Sequence, residues 1–199
     1  MVETYSLKFS IPEGAITHKS ILTVENKGLI RAMKKAGREI AERGIAAWLA
    51  GDLSARTESG FLITASQCDL SGLSDEDFVH VEAFDATGSS LVKASGLKNP
   101  SPETPLHSLI YEKRPDIRAV IHVHDPTISR PGVAEKLRLP STPAGTAPGT
   151  REASDAVAEL AGSSDFIVIS GHGAVALGKT VEECTEKANL FHRRASAKV

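Results

Sequence analysis

The sequence has little net charge, few cysteines and no long apolar run, and each absence excludes a class of protein. Its 199 residues carry a formal net charge of −2, so it lacks the basic excess with which proteins bind nucleic acid. No apolar stretch approaches the roughly 18 residues needed to cross a bilayer, which argues against a membrane partner. The two cysteines, Cys68 and Cys184, lie far apart and form no metal-spaced pair, so we expect reduced thiols.

Length and N-terminal composition predict one cytoplasmic domain. A chain of 199 residues is long enough to bury a substantial core, and no internal repeat divides it. Residues 1–25 show no clear hydrophobic period, so we expect an N-terminal arm or a short strand within a domain spanning residues 1–199. The segment from Met1 to Lys8 lacks the basic, apolar and small-residue order of a signal peptide, which favours the cytoplasm.

Hydrophobic periodicity predicts alternating helices and strands. Helical spacing begins at Asn26, includes Ile45, Trp48 and Leu49, and is expected to end at Gly51. The other predicted elements are strands at 60–64, 78–84 and 118–124, a strand starting at 166, a hairpin turn at 85–88, helices at 106–114 and 151–161, a proline-rich loop at 126–148 with a short helix at 133–137, and a last helix from Thr180 to about Ala195. The hairpin signal argues against a purely parallel sheet.

Three histidines lie where two apolar strands end. His122 and His124 close a β-branched run, and side chains two apart on a strand project from the same face. His172 lies between Gly171 and Gly173, which allow a tight turn. An isolated His-x-His pair is also found among ordinary core and surface histidines. The strand-end position of both segments therefore favours a site for zinc or another divalent metal, with three imidazoles and an open fourth position.

Five sequence blocks occur along the chain in a recognisable order. They are GDLSAR at 51–56, FLITAS at 61–66, PSPE at 100–103 followed by His107, RPDIRAVIHVH at 114–124 and GHGAVALG at 171–178. In this order they resemble the class II aldolase/adducin family, which includes fuculose-1-phosphate aldolase and ribulose-5-phosphate 4-epimerase. The block from Glu103 to His124 and the His-Gly turn are the specific part of the resemblance, which runs from about Asn26 to the C-terminus.

The resemblance implies a fold, an assembly and a set of site residues. The implied fold is α/β, a three-layer α/β/α sandwich around a mixed, largely antiparallel sheet. The implied assembly is a homotetramer with active sites between neighbouring subunits, acting on a small, sugar-like molecule. The family's metal, usually zinc, is held by three histidines that align with His122, His124 and His172. Its acid/base carboxylate aligns with Glu103, nineteen residues before His122.

The implied activity is that of a metal-dependent lyase acting on a hydroxy-carbonyl substrate, phosphorylated or not. A divalent cation that binds the carbonyl and adjacent hydroxyl oxygens stabilises the enediolate formed when a carbon–carbon bond breaks in retro-aldol cleavage. A carboxylate at Glu103 would shuttle the proton, and partial desolvation would raise its pKa towards neutrality. Loop composition by itself is equally compatible with a solvated surface glutamate at Glu103.

The expected substrate-binding residues are Asp52, Ser66, Gln67 and Ser101. Asp52 stands where the phosphorylated-sugar enzymes have asparagine, Gln67 replaces a glycine, and Pro102 replaces a serine and has no N–H to donate. Phosphate binding relies on neutral donors and cations, and a carboxylate within about 4 Å of phosphate costs on the order of a few kcal/mol. We therefore expect a weakened or altered phosphate site.

Other functions remain open. Lys98 and Arg56 are the cations left to pair with a phosphate. Without an obvious second acid, the site would also suit a decarboxylase of a hydroxylated acid, and a sugar-phosphate epimerase would have His192 as its main further candidate acid or base. A non-catalytic, adducin-like assembly domain is the third alternative, but such a domain has no physical need for three histidines and Glu103.

Overall fold

The computed structural model describes residues 8–10, 21, 23–46, 50–84 and 91–198. Its strands are β1 (Lys8–Ser10), β2 (Gly51–Thr57), β3 (Gly60–Thr64), β4 (Phe78–Phe84), β5 (Leu91–Ser95), β6 (Ala119–Val123), β7 (Phe166–Ile169) and β8 (Gly173–Gly178). Its helices are α1 (Val24–Glu42), α2 (Thr104–Lys113), α3 (Val133–Leu137), α4 (Arg151–Ala161) and α5 (Val181–Ser196). Within these described ranges, no helix is both long and apolar enough to cross a membrane.

These strands form a single sheet in the order β1-β5-β4-β3-β2-β6-β8-β7. The β1–β5 pair is parallel, and the remaining pairs are antiparallel. Short connections link β2 to β3 and β7 to β8, and such connections require antiparallel neighbours. The expectation of a mixed, largely antiparallel sheet is confirmed. Strand β6, which carries the first predicted metal ligands, lies between β2 and β8.

Helices cover both faces of the sheet. Helices α1 and α5 pack on one face, where Met33 and Ile121 belong to the same core cluster. Helices α2 and α4 pack on the other face, where Ile110 and Val120 belong to a second cluster. Side chains alternate along a strand, so His122 projects with Val120 towards α2 and α4. The three-layer α/β/α sandwich is confirmed, and the histidines belong to its α2/α4 side.

Most predicted elements are observed with nearly the predicted bounds, including strands β3 and β4 and helices α3 and α4. The last helix begins after Thr180, whose hydroxyl accepts the Glu183 N–H at 3.1 Å. The Glu183 carboxylate accepts the N–H of Lys179 at 2.8 Å, one residue earlier than in a standard capping box. Of the predicted N-terminal arm, residues 8–10 form β1. The hairpin turn predicted at 85–88 lies outside the described residues.

The predicted end of the first helix at Gly51 is wrong. Helix α1 ends at Glu42, and Gly44 follows with a φ of 69°, a left-handed conformation that stops the helix. Gly51 instead opens β2 with a φ of 110°, and a Cβ there would lie 2.6 Å from the carbonyl oxygen of His122. The glycine is needed because the β2 and β6 backbones approach closely at that point. Trp48 and Leu49, which extended the helical pattern, lie outside the described residues.

Candidate active site

The structure brings His122, His124 and His172 together, and we refer to them as the histidine cluster. Each ring offers one ligand atom, and these atoms all lie within 4.8 Å of one another. Nε2 of His122 lies 3.2 Å from Nε2 of His172, and the His124 ring centroid lies 4.0 Å from that of His172. A tetrahedral zinc with bonds of about 2.1 Å spaces its ligand atoms by about 3.4 Å. The cluster is therefore close to the geometry of a metal site.

Backbone pairing between β6 and β8 sets this arrangement. The carbonyl oxygen of Ala174 lies 3.1 Å from Nδ1 of His122, and because a carbonyl only accepts, that nitrogen carries the proton. Nε2 of His122 is then left with its lone pair free for a cation. A Cβ on Gly173 would lie 2.0 Å from the Val123 carbonyl oxygen, so only glycine lets the His172 turn approach β6 this closely.

The cluster favours neutral imidazoles. Burial is the main cause that lowers the pKa of His122 to about 3, with smaller contributions from the other two imidazoles of the cluster and against the opposing effect of the Asp52 carboxylate. Burial and the neighbouring His124 lower the pKa of His172 to about 4. Burial also lowers the pKa of His124, again opposed by Asp52. Three neutral rings are the protonation state that a metal requires of histidine ligands.

Glu103 lies at the start of α2, on the same side of the sheet as the histidine cluster. Its side chain makes no capping hydrogen bond, and its backbone N–H donates to Oγ of Ser101 at 3.1 Å. Burial and the negative charge of Asp52 raise the pKa of Glu103 to about 7. A carboxyl group with such a pKa can take up and return a proton near neutral pH, which is the property an acid/base needs.

Asp52 is a buried carboxylate rather than a surface one. It pairs with His122 across the β2–β6 ladder and is 3% exposed. Its Oδ2 accepts the Ser101 hydroxyl at 2.5 Å, and its Oδ1 lies 2.6 Å from Nε2 of His107. Burial by itself raises the pKa of Asp52, but His107, His122 and Ser101 outweigh it and lower the pKa to about 2. Both oxygens thus face protein groups, and a contact between Asp52 and substrate remains a prediction.

The other predicted substrate-binding residues lie on two adjoining loops. Ser66 N–H donates to the Asn99 carbonyl at 2.9 Å, and Ser101 N–H donates to the Thr64 carbonyl at 3.1 Å. We call residues 65–67 and 99–103 the Ser66/Ser101 loops. Gln67 is exposed and has a φ of 58°, so it keeps the left-handed backbone of a glycine position at a cost of about 1 kcal/mol. The two loops therefore bring the predicted residues together, and their role in substrate binding stays a prediction.

The two cations expected near a phosphate are engaged elsewhere. Lys98 forms an ion pair with Asp77 at 2.6 Å. The Arg56 guanidinium lies 4.5 Å from the centroid of the Tyr111 ring and donates to the Ile117 carbonyl at 2.9 Å. Neither cation is therefore free to neutralise a phosphate in this arrangement.

His192, the candidate acid for an epimerase, lies on the other face of the sheet. It is part of α5, which packs on the face opposite to α2 and α4. Its Nδ1 lies 2.8 Å from Oδ2 of Asp125, whose Oδ1 also accepts the Thr127 N–H at 2.8 Å. The pair anchors the chain that follows the second histidine, and it does not face the histidine cluster.

Sequence reasoning missed a buried polar group that joins β2 to α2. Asp52 and Ser54 share one face of β2 because they are two residues apart, and His107 and Tyr111 share one face of α2 because they are four apart. Oγ of Ser54 lies 2.6 Å from Nδ1 of His107 and 2.8 Å from the Tyr111 hydroxyl. The two-residue spacing on β2 and the four-residue spacing on α2 were the sequence signal from which this polar group could have been predicted. An alternating polar strand is ordinarily taken as solvent-exposed, whereas here α2 covers it.

Comparison with known proteins identifies the family. The sequence profile described as "Class II Aldolase and Adducin N-terminal domain" matches residues 31–199, and the chain belongs to this family. A methylthioribulose-1-phosphate dehydratase of Pseudoalteromonas translucida is 36% identical over 99 residues, which are 50% of this chain and 44% of the dehydratase. A 3,4-dihydroxyphthalate decarboxylase of Arthrobacter keyseri is 27% identical over 183 residues, covering 81% of this chain and 73% of the decarboxylase.

The fold is also similar to that of solved enzymes. The crystal structure of l-fuculose-1-phosphate aldolase from Thermus thermophilus superimposes with a TM-score of 0.68 at 24% identity, covering 85% of this chain and 91% of the aldolase. That similarity establishes the fold alone. The alignment with the dehydratase spans less than half of that relative, so its activity does not transfer with the family name.

Proposed function

We propose that this protein is a divalent-metal-dependent lyase, with zinc as the expected cation, that cleaves a carbon–carbon bond of a hydroxy-carbonyl substrate by retro-aldol chemistry. The observation that supports this most is the convergence of His122, His124 and His172 within 4.8 Å. When bound there, a divalent cation would supply Lewis acidity towards the carbonyl and hydroxyl oxygens of the substrate. Three protein ligands leave a fourth position for those oxygens, as in catalytic zinc sites.

Glu103 is the proposed acid/base. Its pKa of about 7 lets it accept a proton from a substrate hydroxyl and return a proton to carbon in the same turnover. Its half-buried position reduces the water around the carboxyl group and strengthens local electrostatic interactions. We propose that Ser66, Gln67 and Ser101 bind the rest of the substrate and that Asp52 belongs to the same substrate-binding site. We also propose that the protein is cytoplasmic and forms a homo-oligomer. Light scattering of the purified protein would test the oligomeric state.

A decarboxylase of a hydroxylated acid is the second candidate. The decarboxylase relative aligns over more of this chain than the dehydratase does, 81% against 50%. The engagement of Lys98 by Asp77 at 2.6 Å removes one cation that a sugar phosphate would need. Loss of carbon dioxide and retro-aldol cleavage both leave negative charge on a carbon next to a carbonyl group, and a cation that polarises the carbonyl oxygen stabilises that charge, so one metal site could serve either reaction.

The test combines metal analysis with a substrate screen. The purified protein is expected to contain about one divalent cation per chain, to lose it to a chelator and to regain it with zinc. It is then incubated with l-fuculose 1-phosphate, methylthioribulose 1-phosphate, 3,4-dihydroxyphthalate and unphosphorylated aldols, with product release followed by mass spectrometry. Chelator-sensitive turnover of one of these compounds is the expected result. Stable metal binding without turnover of any of them would favour an assembly role.

A further inference from the structure

The carboxylate of Asp52 is held by a continuous chain of buried groups. His107 is 0% exposed, and its Nε2 lies 2.6 Å from Oδ1 of Asp52. Neither atom makes an aligned hydrogen bond with any group in the described part of the chain, each other included, so their 2.6 Å approach is a close polar contact. On the other side of the ring, Ser54 lies 2.6 Å from Nδ1 and 2.8 Å from the Tyr111 hydroxyl.

The donors in this chain can all point towards Asp52. A carboxylate only accepts, so the Nε2 of His107 that faces it carries the proton. Nδ1 of a neutral ring then accepts from the Ser54 hydroxyl, and Ser54 in turn accepts from Tyr111. Burial raises the pKa of Tyr111, so this phenol stays a donor. The Ser54 and Tyr111 hydroxyls then each have an acceptor within the buried chain.

A second set of contacts connects Asp52 to Glu103. The Ser101 hydroxyl donates to Oδ2 of Asp52 at 2.5 Å, and the same Oγ accepts the Glu103 N–H at 3.1 Å. The Ser101 carbonyl accepts the Thr104 N–H at 3.0 Å and its hydroxyl at 2.6 Å. The turn that begins α2 therefore depends on a serine whose orientation is fixed by the buried carboxylate.

We propose that His107 is a positioning residue: it holds the Asp52 carboxylate, which through Ser101 fixes the backbone turn that carries Glu103. The inference rests on the proposed role of Glu103 as acid/base. A small displacement of a catalytic group is enough to slow a reaction by about a hundredfold, so a residue three contacts away can control turnover without touching the substrate.

The first experiment measures amide hydrogen exchange of the full-length protein by NMR and needs no substrate. His107→Leu is expected to speed exchange of the Glu103 amide by about tenfold or more, whereas His107→Gln, whose amide can still donate to Asp52, should restore it to within about threefold. His80→Leu is the matched control, because His80 also contacts a β2 hydroxyl, that of Thr57 at 3.0 Å, but does not reach Asp52.

If His107→Leu fails to fold, Asp52→Ala tests the next contact along the chain. This variant removes the carboxylate that orients Ser101 but keeps the Ser101 hydroxyl that accepts the Glu103 N–H. The same local rise in exchange at the Glu103 amide is expected. Unchanged exchange of that amide in Asp52→Ala, or in a folded His107→Leu protein, would overturn the proposal.

The second experiment separates positioning from a general structural role. With a compound that the wild-type protein turns over, His107→Leu is expected to lower kcat by about 10- to 100-fold with KM changed less than about threefold, and His107→Gln should recover most of kcat. In a Glu103→Gln background, His107→Leu should change kcat by less than about twofold. Equal losses in both backgrounds would contradict an action through Glu103. Absence of wild-type turnover would contradict the proposed function, whereas the hydrogen-exchange experiment would still test the positioning of Glu103 because it needs no substrate.

Discussion

The histidine cluster lies at the ends of β6 and β7, whereas the Ser66/Ser101 loops follow β3 and β5, and the two regions are built in different ways. His122 is placed by the antiparallel pairing of β6 with β8, where it lies opposite Val175, and His172 stands in the turn directly before β8. Gln67 and Ser101 lie on irregular backbone, and Gln67 keeps a left-handed φ of 58° without being glycine. A repeating ladder preserves side-chain geometry when single residues change, whereas a loop can accept new residues and change what it binds.

The two regions also differ in charge. Burial keeps the imidazoles of the cluster neutral, as their lowered pKa values indicate, so the cluster is suited to a cation. The Ser66/Ser101 loops lie over the Asp52 carboxylate, whose pKa is lowered to about 2 and which is therefore ionised at neutral pH. A fixed negative charge there opposes a phosphate. We therefore propose that the metal site of the family is kept while its anion recognition is altered.

The largest effect is expected from a substitution in the histidine cluster, which tests whether the cluster binds a cation. His172→Ala removes one of three ligands from a partly exposed turn, so the fold should survive. We expect metal content to fall below about 0.1 per chain and turnover to fall by at least about 10³-fold, because two imidazoles rarely hold a catalytic cation. Mass spectrometry of the metal and a turnover assay give the result, with His80→Ala as the control. Full metal content in His172→Ala would remove this residue from the site.

Glu103→Gln is expected to have the next largest effect. The amide keeps the size of the side chain but cannot shuttle a proton, so kcat should fall by roughly 10² to 10⁴ while metal content is unchanged. Normal turnover in this variant would exclude Glu103 as the acid/base. Loss of metal together with activity would make Glu103 a ligand and extend the cation site towards the loops.

The raised pKa of Glu103 also predicts a pH-dependent stability. Because its pKa of about 7 in the folded protein exceeds the ordinary 4.5, the folded state binds more protons than the unfolded state between these values. The stability associated with the protonated group is complete below about pH 4.5 and is lost as pH rises through 7. Metal-free Glu103→Gln should therefore gain roughly 2 kcal/mol relative to wild type between pH 4.5 and 8, as measured by urea unfolding. A constant difference would mean that the carboxyl is not desolvated.

Asp52→Asn tests whether the buried negative charge weakens phosphate binding at the Ser66/Ser101 loops, and it should have a smaller effect. The substitution removes the buried negative charge and restores the residue found in the phosphorylated-sugar enzymes. We expect inorganic phosphate to bind about 3- to 10-fold more tightly, since His107 already compensates part of the charge. Calorimetry measures this, with Asp125→Asn as a control at another buried aspartate, one that pairs with His192 and not with Lys98. Micromolar phosphate binding by the wild-type protein would show that Asp52 does not weaken the site.

Gln67→Gly should have the smallest effect. Glycine adopts a φ of 58° without the steric cost that glutamine bears there, but it also gains freedom in the unfolded chain. The free energy of unfolding should rise by about 0.5 kcal/mol, measured by urea titration. Ser66→Gly, at a neighbouring position without a positive φ, should instead lower it. Destabilisation by Gln67→Gly would mean that the glutamine side chain stabilises the loop.

Periodicity and local motifs were enough to predict most elements, because strands β3 and β4 and helices α3 and α4 are determined by short-range alternation and by glycine or proline at their ends. The end of α1 was mispredicted because a glycine such as Gly51 can either end a helix or allow two strands to approach closely, and the sequence does not distinguish these two roles. Its role becomes visible only beside the His122 carbonyl, 2.6 Å from where a Cβ would lie. A glycine required by another strand looks the same in sequence as a glycine that ends a helix.

The sequence by itself determined the fold class and the three metal-ligand candidates, since His122 and His124 share a strand face and His172 stands in a glycine turn. Only the tertiary structure decided the surroundings of Asp52. From sequence it looked like a carboxylate facing substrate, but α2 covers β2 and supplies His107 at 2.6 Å. The pairing of a strand residue with a helix residue 55 positions later depends on how layers pack, and no local pattern encodes that contact.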